Sequence, residues 1–383
     1  MVLASRDVSN TPTDWVRLQR HTSCSMDNGL RRIIRTVVVL ALAVGLIAWF
    51  LRNAEFDRVW SAVASARTDY LLLSAGLTIV TYLIRAERWQ YLLGPLGPTR
   101  FGTVLRTTVI GFAASAVLPA RAGEVIRPYL LARREGLSAT AAFATIIVER
   151  VLDLVAVLLL LATFFIWFDP GLEARDSVVF SAIRYGGLVM APVAMAALAT
   201  MFFMAGHPDR LHAWLLEAEA VLPGAAARLI AKAAQMFAEG FAVVRRPERL
   251  VAAMAWSIVL WVSIAAGIWA VAAGFRIAMP FTGGLLMLAP LVVGVAVPTP
   301  GGVGGFHEAF RLGATAFFGA DNNTAVGAAI VLHAISVGPV TLAGLLFTVQ
   351  DGLKLGGIAR GEGIDDRTAR DDRGAALDER RIR

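Results

Sequence analysis

The chain is 383 residues long, and 57% of its residues are hydrophobic while only 17% are charged. Charged residues make up about a quarter of a typical soluble domain, so this composition excludes a soluble globular protein and indicates a polytopic membrane protein. A net charge of +7 would suit nucleic acid, but the arginines lie beside apolar runs, which is typical of loops that face anionic lipids. The only cysteine, Cys24, excludes disulfides and cysteine-based metal sites within this chain. Because the arginines lie beside apolar runs, we expect no nucleic-acid partner.

The apolar runs predict a domain built from membrane-spanning helices. Residues 1–32 are polar and lack the pattern of a signal peptide, so they are expected to form a disordered cytoplasmic tail. A helix of about 17 to 25 apolar residues is long enough to cross a bilayer. Six runs of this kind predict full transmembrane helices at about residues 33–51, 69–85, 141–168, 183–205, 250–273 and 324–349. The transmembrane domain would occupy 33–353, with an amphipathic surface segment at 208–249 and a disordered tail at 354–383.

Two further apolar runs, at about 101–118 and 281–297, end at Pro/Gly-rich breaks. Each break is followed by a second, modestly apolar piece, at 125–135 and 306–319. This pattern is typical of a re-entrant hairpin, which is tolerated at membrane depth only where protein or a wet cavity surrounds it. The residues expected to form the two breaks are Pro119, Gly123, Pro298, Pro300, Gly301, Gly302 and Gly304.

The two breaks introduce near-copies of one passage. The first copy reads LPARAGEVIRPYLL and the second reads VPTPGGVGGFHEAFRLG. An offset of 184 residues places Glu124 on Glu308 and Glu149 on His333. A repeat of interrupted hydrophobic segments is typical of membrane transporters, whose substrate sites lie where the repeats meet.

The positions of Lys and Arg predict the orientation of the helices, since these residues collect in cytoplasmic loops. Arginines gather in both tails and at 85–106 and 206–249, whereas the loop at 169–176 is acidic. Six spans with both termini in the cytoplasm fit this distribution and place the two re-entrant hairpins on opposite faces. The repeats, at about 101–168 and 281–349, would therefore be inverted, in an all-α protein of the cell's inner (plasma) membrane.

One predicted span contains three ionisable residues, Glu149, Arg150 and Asp153. Such residues cost about 2.5 to 3.5 kcal/mol each in a membrane, so they are expected to be paired or to face a polar cavity. On a helix, Glu149 and Asp153 lie on one side, and Arg150 is within reach of Asp153. The cluster is either a structural ion pair that fixes helix packing or a polar lining for a lipid headgroup or an ion path.

The first break is flanked by Arg121, Glu124 and Arg127. Arginine beside the N-terminus of a short helix is typical of an anion site, because the guanidinium group donates two parallel hydrogen bonds to phosphate. The alternative is that these arginines extend to the cytoplasmic interface. The second break has no P-loop ending, and Glu308 follows its glycines directly.

His333 lies deep in the last predicted span and is expected to have a partner, either Glu308 or a carboxylate of the first half. A proton-coupled role is one interpretation, since imidazole titrates near neutral pH. No metal is expected, because His307 and His333 have no third ligand at a recognisable spacing.

Four motifs occur in order along residues 33 to 350: Arg85-x-x-Arg88-Trp89, LPARAGEVIRPYLL, Glu149-Arg150-x-x-Asp153 and PTPGGVGGFHEAF. In these motifs the chain resembles the flippase-like family named for the transmembrane domain of lysylphosphatidylglycerol synthases. The resemblance implies an integral bacterial or archaeal membrane protein that moves or handles a phospholipid or polyprenyl lipid. Some relatives carry a soluble aminoacyl-transferring domain that this sequence does not contain, so lipid synthesis is not expected.

These observations predict a lipid flippase with no cofactor and no catalytic residues. Arginines would engage the headgroup phosphate, and carboxylates would balance their charge or contact a cationic headgroup, with His333 in the same site. The phosphate ligands would be Arg121, Arg127 and Arg150, and the carboxylates would be Glu124, Glu149, Asp153 and Glu308.

Two other functions stay open. One is a membrane-embedded enzyme on a polyprenyl-phosphate or isoprenoid lipid, with Glu124 and Glu149 as acid and base. The other is a non-transporting subunit of a lipid-modifying complex. The expected partner is a membrane lipid with a phosphate headgroup, and a lipid-synthesis enzyme or a second copy of the chain are further candidates.

Overall fold

The computed structural model describes residues 37–38, 41–118, 121–167, 178–206, 247–297 and 299–353. Several predicted features lie outside these ranges: both tails, the loop at 169–176, most of the segment at 208–249, Pro119 and Pro298. The described residues are helical, without strands, and form eleven α-helices. By length and composition, three of the described helices could cross a membrane: Thr68–Leu96, Glu248–Gly274 and Asn322–Gln350.

The helices follow the predicted segments closely in chain order. They are α1 (Ala41–Leu51), α2 (Phe56–Ala64), α3 (Thr68–Leu93), α4 (Phe101–Val117), α5 (Gly123–Glu135), α6 (Ala139–Trp167), α7 (Val178–Gly206), α8 (Pro247–Gly274), α9 (Phe281–Ala296), α10 (Gly305–Phe318) and α11 (Asn322–Gln350). Hydropathy sets their positions, and the Pro/Gly breaks separate α4 from α5 and α9 from α10. The short helix α2 was not predicted.

One predicted boundary is wrong. We expected a cytoplasmic loop from residue 85 to 106, but α3 continues to Leu93, and a short 3-10 turn at Gly94–Leu96 leads almost directly to α4. The reason is that Arg85 and Arg88 face inward, with 8% and 0% of their surface exposed. Buried carboxylates of the protein, rather than water, compensate their positive charges.

The helices repeat in order, since α3 to α6 and α8 to α11 both run long, short, short, long. The short helices α5 and α10 each end at a left-handed glycine, Gly136 with φ of 67° and Gly319 with φ of 60°. Glycine adopts this conformation without the steric penalty of a side chain, so the chain turns in the same way into the following long helix at both places. The repeated unit is therefore longer than the sequence indicated, because it includes α3 and α8.

Helices α3 and α8 pack side by side in antiparallel directions. Residue numbers rise along one helix as they fall along the other. The contacts pair Arg67 N with Gly274 O at 2.9 Å, Ser74 Oγ with Gly267 O at 3.1 Å, Thr81 Oγ1 with Ser263 Oγ at 2.8 Å, and Arg88 Nη1 with Ser257 Oγ at 2.8 Å.

In each repeat, the two short helices cross at a pair of glycines. A methyl group added to Gly123 would overlap the carbonyl oxygen of Gly111, and one added to Gly305 would overlap that of Gly294. Backbones this close leave no room for a side chain at either crossing. The glycines thus hold α4 against α5, and α9 against α10, as tight helical hairpins.

Apolar side chains fill the space around these hairpins in two clusters. The larger surrounds α9 and includes the buried residues Leu286, Met287 and Phe310. The smaller lies among α3, α4, α5 and α6, with Trp89 and Leu152 fully buried. Three charged residues described below, Arg88, Glu149 and Asp153, lie beside the smaller cluster and are shielded from solvent.

A polar contact ties the end of α11 to the first repeat. Asp351 Oδ1 lies 2.9 Å from Arg106 Nη2, and Oδ2 accepts a hydrogen bond from Arg134 Nη2. Desolvation opposes ionisation of Asp351, but the two guanidinium groups prevail and lower its pKa below the ordinary value. This contact joins α4, α5 and α11 at one end of the molecule.

Candidate functional site

Glu149 lies at the centre of a buried group of arginines. Its carboxylate is 0% exposed, and Oε1 lies 2.8 Å from Arg150 Nη2 and 3.2 Å from Arg127 Nη1. Arg88 Nη2 is 3.3 Å away and Arg85 Nη1 is 3.8 Å away. Four guanidinium groups therefore surround one carboxylate, contributed by α3, α5 and α6.

Asp153 lies one helical turn further along α6 and shares one of these arginines. Its Oδ1 accepts hydrogen bonds from Arg88 Nη1 at 2.5 Å and from Trp261 Nε1 at 2.9 Å. Its Oδ2 lies 3.4 Å from Arg150 Nη1, the i, i+3 contact predicted from the sequence. We call the six residues the central charge network: Arg85, Arg88, Arg127, Glu149, Arg150 and Asp153.

Aromatic rings hold two of the arginines in position. The guanidinium carbon of Arg127 lies 3.8 Å from the ring centre of Trp89, and that of Arg85 lies 4.8 Å from the ring of Phe112. Trp89 is itself fixed by a hydrogen bond from Nε1 to Thr145 at 2.9 Å. These contacts are favourable cation–π interactions, and they restrict where the two charges lie.

The central charge network has more positive than negative charge. Four arginines face two carboxylates, which leaves an excess of two positive charges. Several of the N–H groups have no hydrogen-bond partner among the described residues, including Nε and Nη2 of Arg127 and Nε of Arg150. Buried donors that lack partners are costly, so this arrangement favours binding of an anion.

A cavity of about 160 Å³, which we call the polar cavity because four charged side chains line it, opens beside the network. Its charged lining residues are Arg121, Glu124, Arg127 and Arg150. Ser115 and Thr299 also line it, and four glycines complete the wall: Gly111 within α4, Gly123 at the start of α5, and Gly301 and Gly302 in the second break. Glycine backbone lets a ligand approach the main chain closely, so the cavity offers both guanidinium groups and peptide groups.

The two breaks meet at this cavity. Arg121 Nη2 donates a hydrogen bond of 2.9 Å to the carbonyl oxygen of Val295, which lies near the end of α9. Arg121 Nη1 also lies 3.7 Å from Glu124 Oε1. On the other side, a Cβ atom on Gly301 would lie 3.5 Å from the carbonyl oxygen of Ala116. Residues at the first and second breaks therefore lie against each other in the fold.

A second cavity of about 280 Å³ adjoins the first. Its walls are mainly apolar, and they share with the polar cavity the residues Tyr82, Phe112, Val295 and Val337. Arg85 of the central charge network and a few hydroxyl-bearing residues, such as Thr78 and Ser336, also line it. A charged cavity and an apolar one thus lie next to each other between the two repeats.

Glu308 lies in a different cluster from Glu149. Its carboxylate accepts two hydrogen bonds from Arg311, at 2.6 and 2.7 Å, and one from Trp49 Nε1 at 3.0 Å. Arg311 also donates to Asn322 Oδ1 at 3.0 Å. The repeat-related residues Glu124 and Glu308 therefore have different surroundings, since Glu124 is 39% exposed beside Arg121.

The prediction that His333 pairs with Glu308 or with a carboxylate of the first half is wrong. Its Nε2 lies 2.9 Å from the carbonyl oxygen of Gly301, and its ring is 4.5 Å from that of His307. Glu308 is instead bound by Arg311, and the first-half carboxylates by arginines of their own half. His333 thus stabilises the backbone of the second break through its contact with Gly301. Among the described residues, no group of three His, Cys, Asp or Glu side chains has the geometry of a metal site.

The structure brings together six of the eight predicted site residues, namely Arg121, Glu124, Arg127, Glu149, Arg150 and Asp153. The sequence reasoning missed Arg85 and Arg88 as members of the site. Their charges were interpreted as a topology signal, although their spacing from Trp89 places all three on neighbouring positions of one helix face. Continuing the helical pattern of α3 past residue 85 would have placed them on a helix, but it would not have shown their contact with Glu149 or Asp153.

Two known proteins are similar to part of this chain. UPF0104 membrane protein MJ1595 of Methanocaldococcus jannaschii is 25% identical over 125 residues, which is 32% of this chain and 37% of that protein. Glycosyltransferase AglD of Haloferax volcanii is 29% identical over 133 residues, which is 33% of this chain and 21% of that protein. Both matches thus cover well under half of the relative.

A wider match comes from the family described as the lysylphosphatidylglycerol synthase TM region, which covers residues 36–344. This range includes the central charge network, both breaks and both cavities. Because the match extends over most of the chain, the protein belongs to this family of membrane proteins.

Proposed function

We propose that the protein is a lipid transporter that moves a phospholipid or polyprenyl-linked lipid between membrane leaflets. The observation that supports this most directly is the net-positive central charge network, which opens onto a polar cavity that shares walls with an apolar one. A lipid has the same two parts, a charged headgroup and an apolar chain. Transport, rather than catalysis, requires only that both parts be sheltered while the lipid crosses.

In this proposal, the headgroup phosphate contacts Arg127 and Arg150, whose side chains line the polar cavity. Arg121 and Glu124 are more exposed, at 43% and 39%, and lie where a headgroup would enter. Glu149 and Asp153 hold the arginines in place, since each is already surrounded by guanidinium groups. Charge-assisted hydrogen bonds to phosphate would replace the missing partners of the buried N–H groups.

The lipid chain would occupy the apolar cavity. Tyr82, Phe112, Val295 and Val337 separate the two cavities, so movement of these side chains would join them. The wall contains residues of both repeats. A change in how the repeats pack would therefore alter access to both cavities together.

We further propose that the repeats are inverted, with α4–α5 and α9–α10 as re-entrant hairpins, in an inner membrane with both termini in the cytoplasm. The antiparallel packing of α3 and α8 supports this, because corresponding helices of inverted repeats run in opposite directions. The meeting of both breaks at one cavity is also what inverted hairpins would produce. Such repeats provide alternating access to one site.

Transport is tested by reconstituting the purified protein into vesicles with fluorescent lipids in both leaflets and following the fraction accessible to an impermeant quencher. The wild type should accelerate exchange of a lipid with a phosphate headgroup. Removing a charged hydrogen-bonding partner costs about 1.5 to 3 kcal/mol, so Arg127→Gln should slow exchange about tenfold or more. Arg58→Gln is the matched control, since Arg58 is 69% exposed and pairs only with Glu55 among the described residues.

Thermal unfolding of each variant in detergent separates loss of transport from loss of folding. Folded wild-type protein that accelerates no lipid with a phosphate headgroup would contradict the transport proposal. Consumption of a lipid-linked donor by the same preparation would instead favour the membrane-embedded enzyme. If activity appeared only with a co-purified second protein, the chain would be a subunit of a lipid-modifying complex.

The inverted arrangement has its own test. In a Cys24→Ser background, Ser138→Cys reports the connection between α5 and α6, and Ala320→Cys reports the equivalent connection between α10 and α11. An impermeant maleimide applied to intact cells should label one of the two positions and not the other. Labelling of both from the same side of the membrane would contradict the inverted repeat.

A further inference from the structure

We infer that the polar cavity is selective for a phosphate monoester attached to a hydrophobic chain, in preference to the phosphate diester of an ordinary phospholipid. The inference deepens the proposed function, because it specifies the ligand of the same cavity. It rests on the proposal that this cavity takes a lipid headgroup. Three features of the site support this selectivity: the charge of the network, its free donors and the shape of the two cavities.

The first observation is the charge balance. The central charge network has four arginines and two carboxylates, an excess of two positive charges, while Arg121 and Glu124 nearby cancel each other. A phosphate monoester carries about −1.5 to −2 at pH 7. A diester has one ionisable oxygen fewer and carries a single negative charge. A bound monoester therefore neutralises the network, whereas a bound diester leaves it positive. Because uncompensated buried charge is costly, the network should prefer the monoester.

The second observation is the set of free donors. Arg127 is 3% exposed and lines the cavity, yet its Nε and Nη2 have no hydrogen-bond partner among the described residues. Arg150 contributes an unpaired Nε as well. A phosphate monoester has three terminal oxygens that accept hydrogen bonds, compared with two in a diester. The monoester therefore satisfies more of these donors at once.

The third observation is the shape of the two cavities. The polar cavity has a volume of about 160 Å³, and the apolar cavity next to it is larger, at about 280 Å³. A compact phosphate fits the first with its chain directed into the second. A diester carries a second substituent on its phosphate, and that substituent must share the smaller volume with the phosphate itself.

Binding to the purified full-length protein in detergent distinguishes the sources of the phosphate. The probes are farnesyl phosphate, farnesol, a short-chain phosphatidylglycerol and inorganic phosphate, each titrated against thermal unfolding. Farnesyl phosphate should bind about tenfold or more tightly than the phosphatidylglycerol, since it adds one charge-assisted contact. Farnesol and inorganic phosphate should each bind more weakly than farnesyl phosphate, because each supplies only one half of the ligand.

Charge variants test the cause of this preference. Arg150→Gln lowers the excess to one positive charge, and the 40% exposure of Arg150 makes it the mildest change in the network. This variant should lose most of the preference for farnesyl phosphate over phosphatidylglycerol, while Arg58→Gln should keep it. An unchanged preference in folded Arg150→Gln would overturn the charge argument.

The outcomes also separate this inference from the proposed function. If phosphatidylglycerol is bound and transported as well as the monoester, the inference is wrong and the transport proposal stands. If farnesyl phosphate binds tightly but no lipid is transported, the inference stands and the transport proposal fails. Inorganic phosphate binding as tightly as farnesyl phosphate would show a site for free phosphate and overturn the requirement for a chain.

Discussion

Arg88 shows how a charge is accommodated in the interior of this fold. Its side chain is fully buried, and Nη1 donates to both Asp153 and Ser257, on α6 and α8. Burying a charge is unfavourable unless a partner compensates for it, and here the partner is another buried charge. The pair therefore contributes to the packing of three helices as well as to the site.

Replacing Arg88 should destabilise the protein more than removing a surface arginine. Arg88→Met leaves Asp153 buried with weaker partners, at an expected cost of about 3 to 5 kcal/mol. The measurement is thermal or denaturant unfolding in detergent. Arg58→Met is the control and should change stability by less than about 1 kcal/mol, because Arg58 forms an exposed ion pair. Equal stability of the two variants would mean that the buried contacts of Arg88 do not stabilise the fold.

The acidic members of the site were predictable and two of the arginines were not. Glu149 and Asp153 interrupt an apolar run, so the sequence marks them as paired or functional. Arg88 is 65 residues away from Asp153, and local sequence does not reveal a contact over that distance. Near the end of an apolar run, an arginine that faces inward and one that faces the cytoplasm look alike.

At the scale of the element, the two helical hairpins depend on glycine in a way that hydropathy does not show. The breaks were predicted from Pro and Gly, and the structure places helix ends at them. Gly111 and Gly294, in contrast, lie inside apolar runs where a small residue carries no signal. Their role follows only from the partner helix, which brings Gly123 and Gly305 against them.

An added methyl group at either crossing should open its hairpin. Gly123→Ala and Gly305→Ala each place Cβ against backbone rather than a flexible side chain, so the strain should be at least about 1 to 3 kcal/mol. Thermal unfolding in detergent measures the loss. Gly76→Ala in α3 is the matched control, since its Cβ would meet nothing within 4 Å. There, alanine should be neutral or stabilising, because it favours helix over glycine by about 1 kcal/mol.

At the scale of the whole molecule, hydropathy and repetition predicted the helix order, while the extent of the repeat required the structure. The sequence motifs marked the repeat from α4 to α6 and from α9 to α11. Helices α3 and α8 share little sequence, so their correspondence emerged only from their position and antiparallel packing. The contact of Glu308 with Trp49 was hidden as well, since Trp49 lies 259 residues away in α1.

The contact between the repeats at Asp351 should make stability depend on pH. Its folded pKa lies below the ordinary 3.8, so the contact stabilises the fold above that pH and is lost as the pH falls through the folded value. Asp351→Asn should cost about 1 kcal/mol at pH 7, as expected for a partly exposed pair. Unfolding temperatures of wild type and variant, measured between pH 7 and pH 2, should differ by a constant amount above pH 3.8 and approach each other below it. A constant difference across this range would exclude Asp351 as the titrating group.

The hydrogen bond between Thr81 and Ser263 lies near the middle of α3 and of α8, the two corresponding helices that pack side by side. If the repeats rock against each other, as the transport proposal requires, a contact at the middle of both helices moves least. Displacement would then grow toward the helix ends, and the contact of Arg88 with Ser257 lies further along in that direction. A rocking motion about Thr81 and Ser263 would therefore change the charged end most, while the centre keeps its contacts.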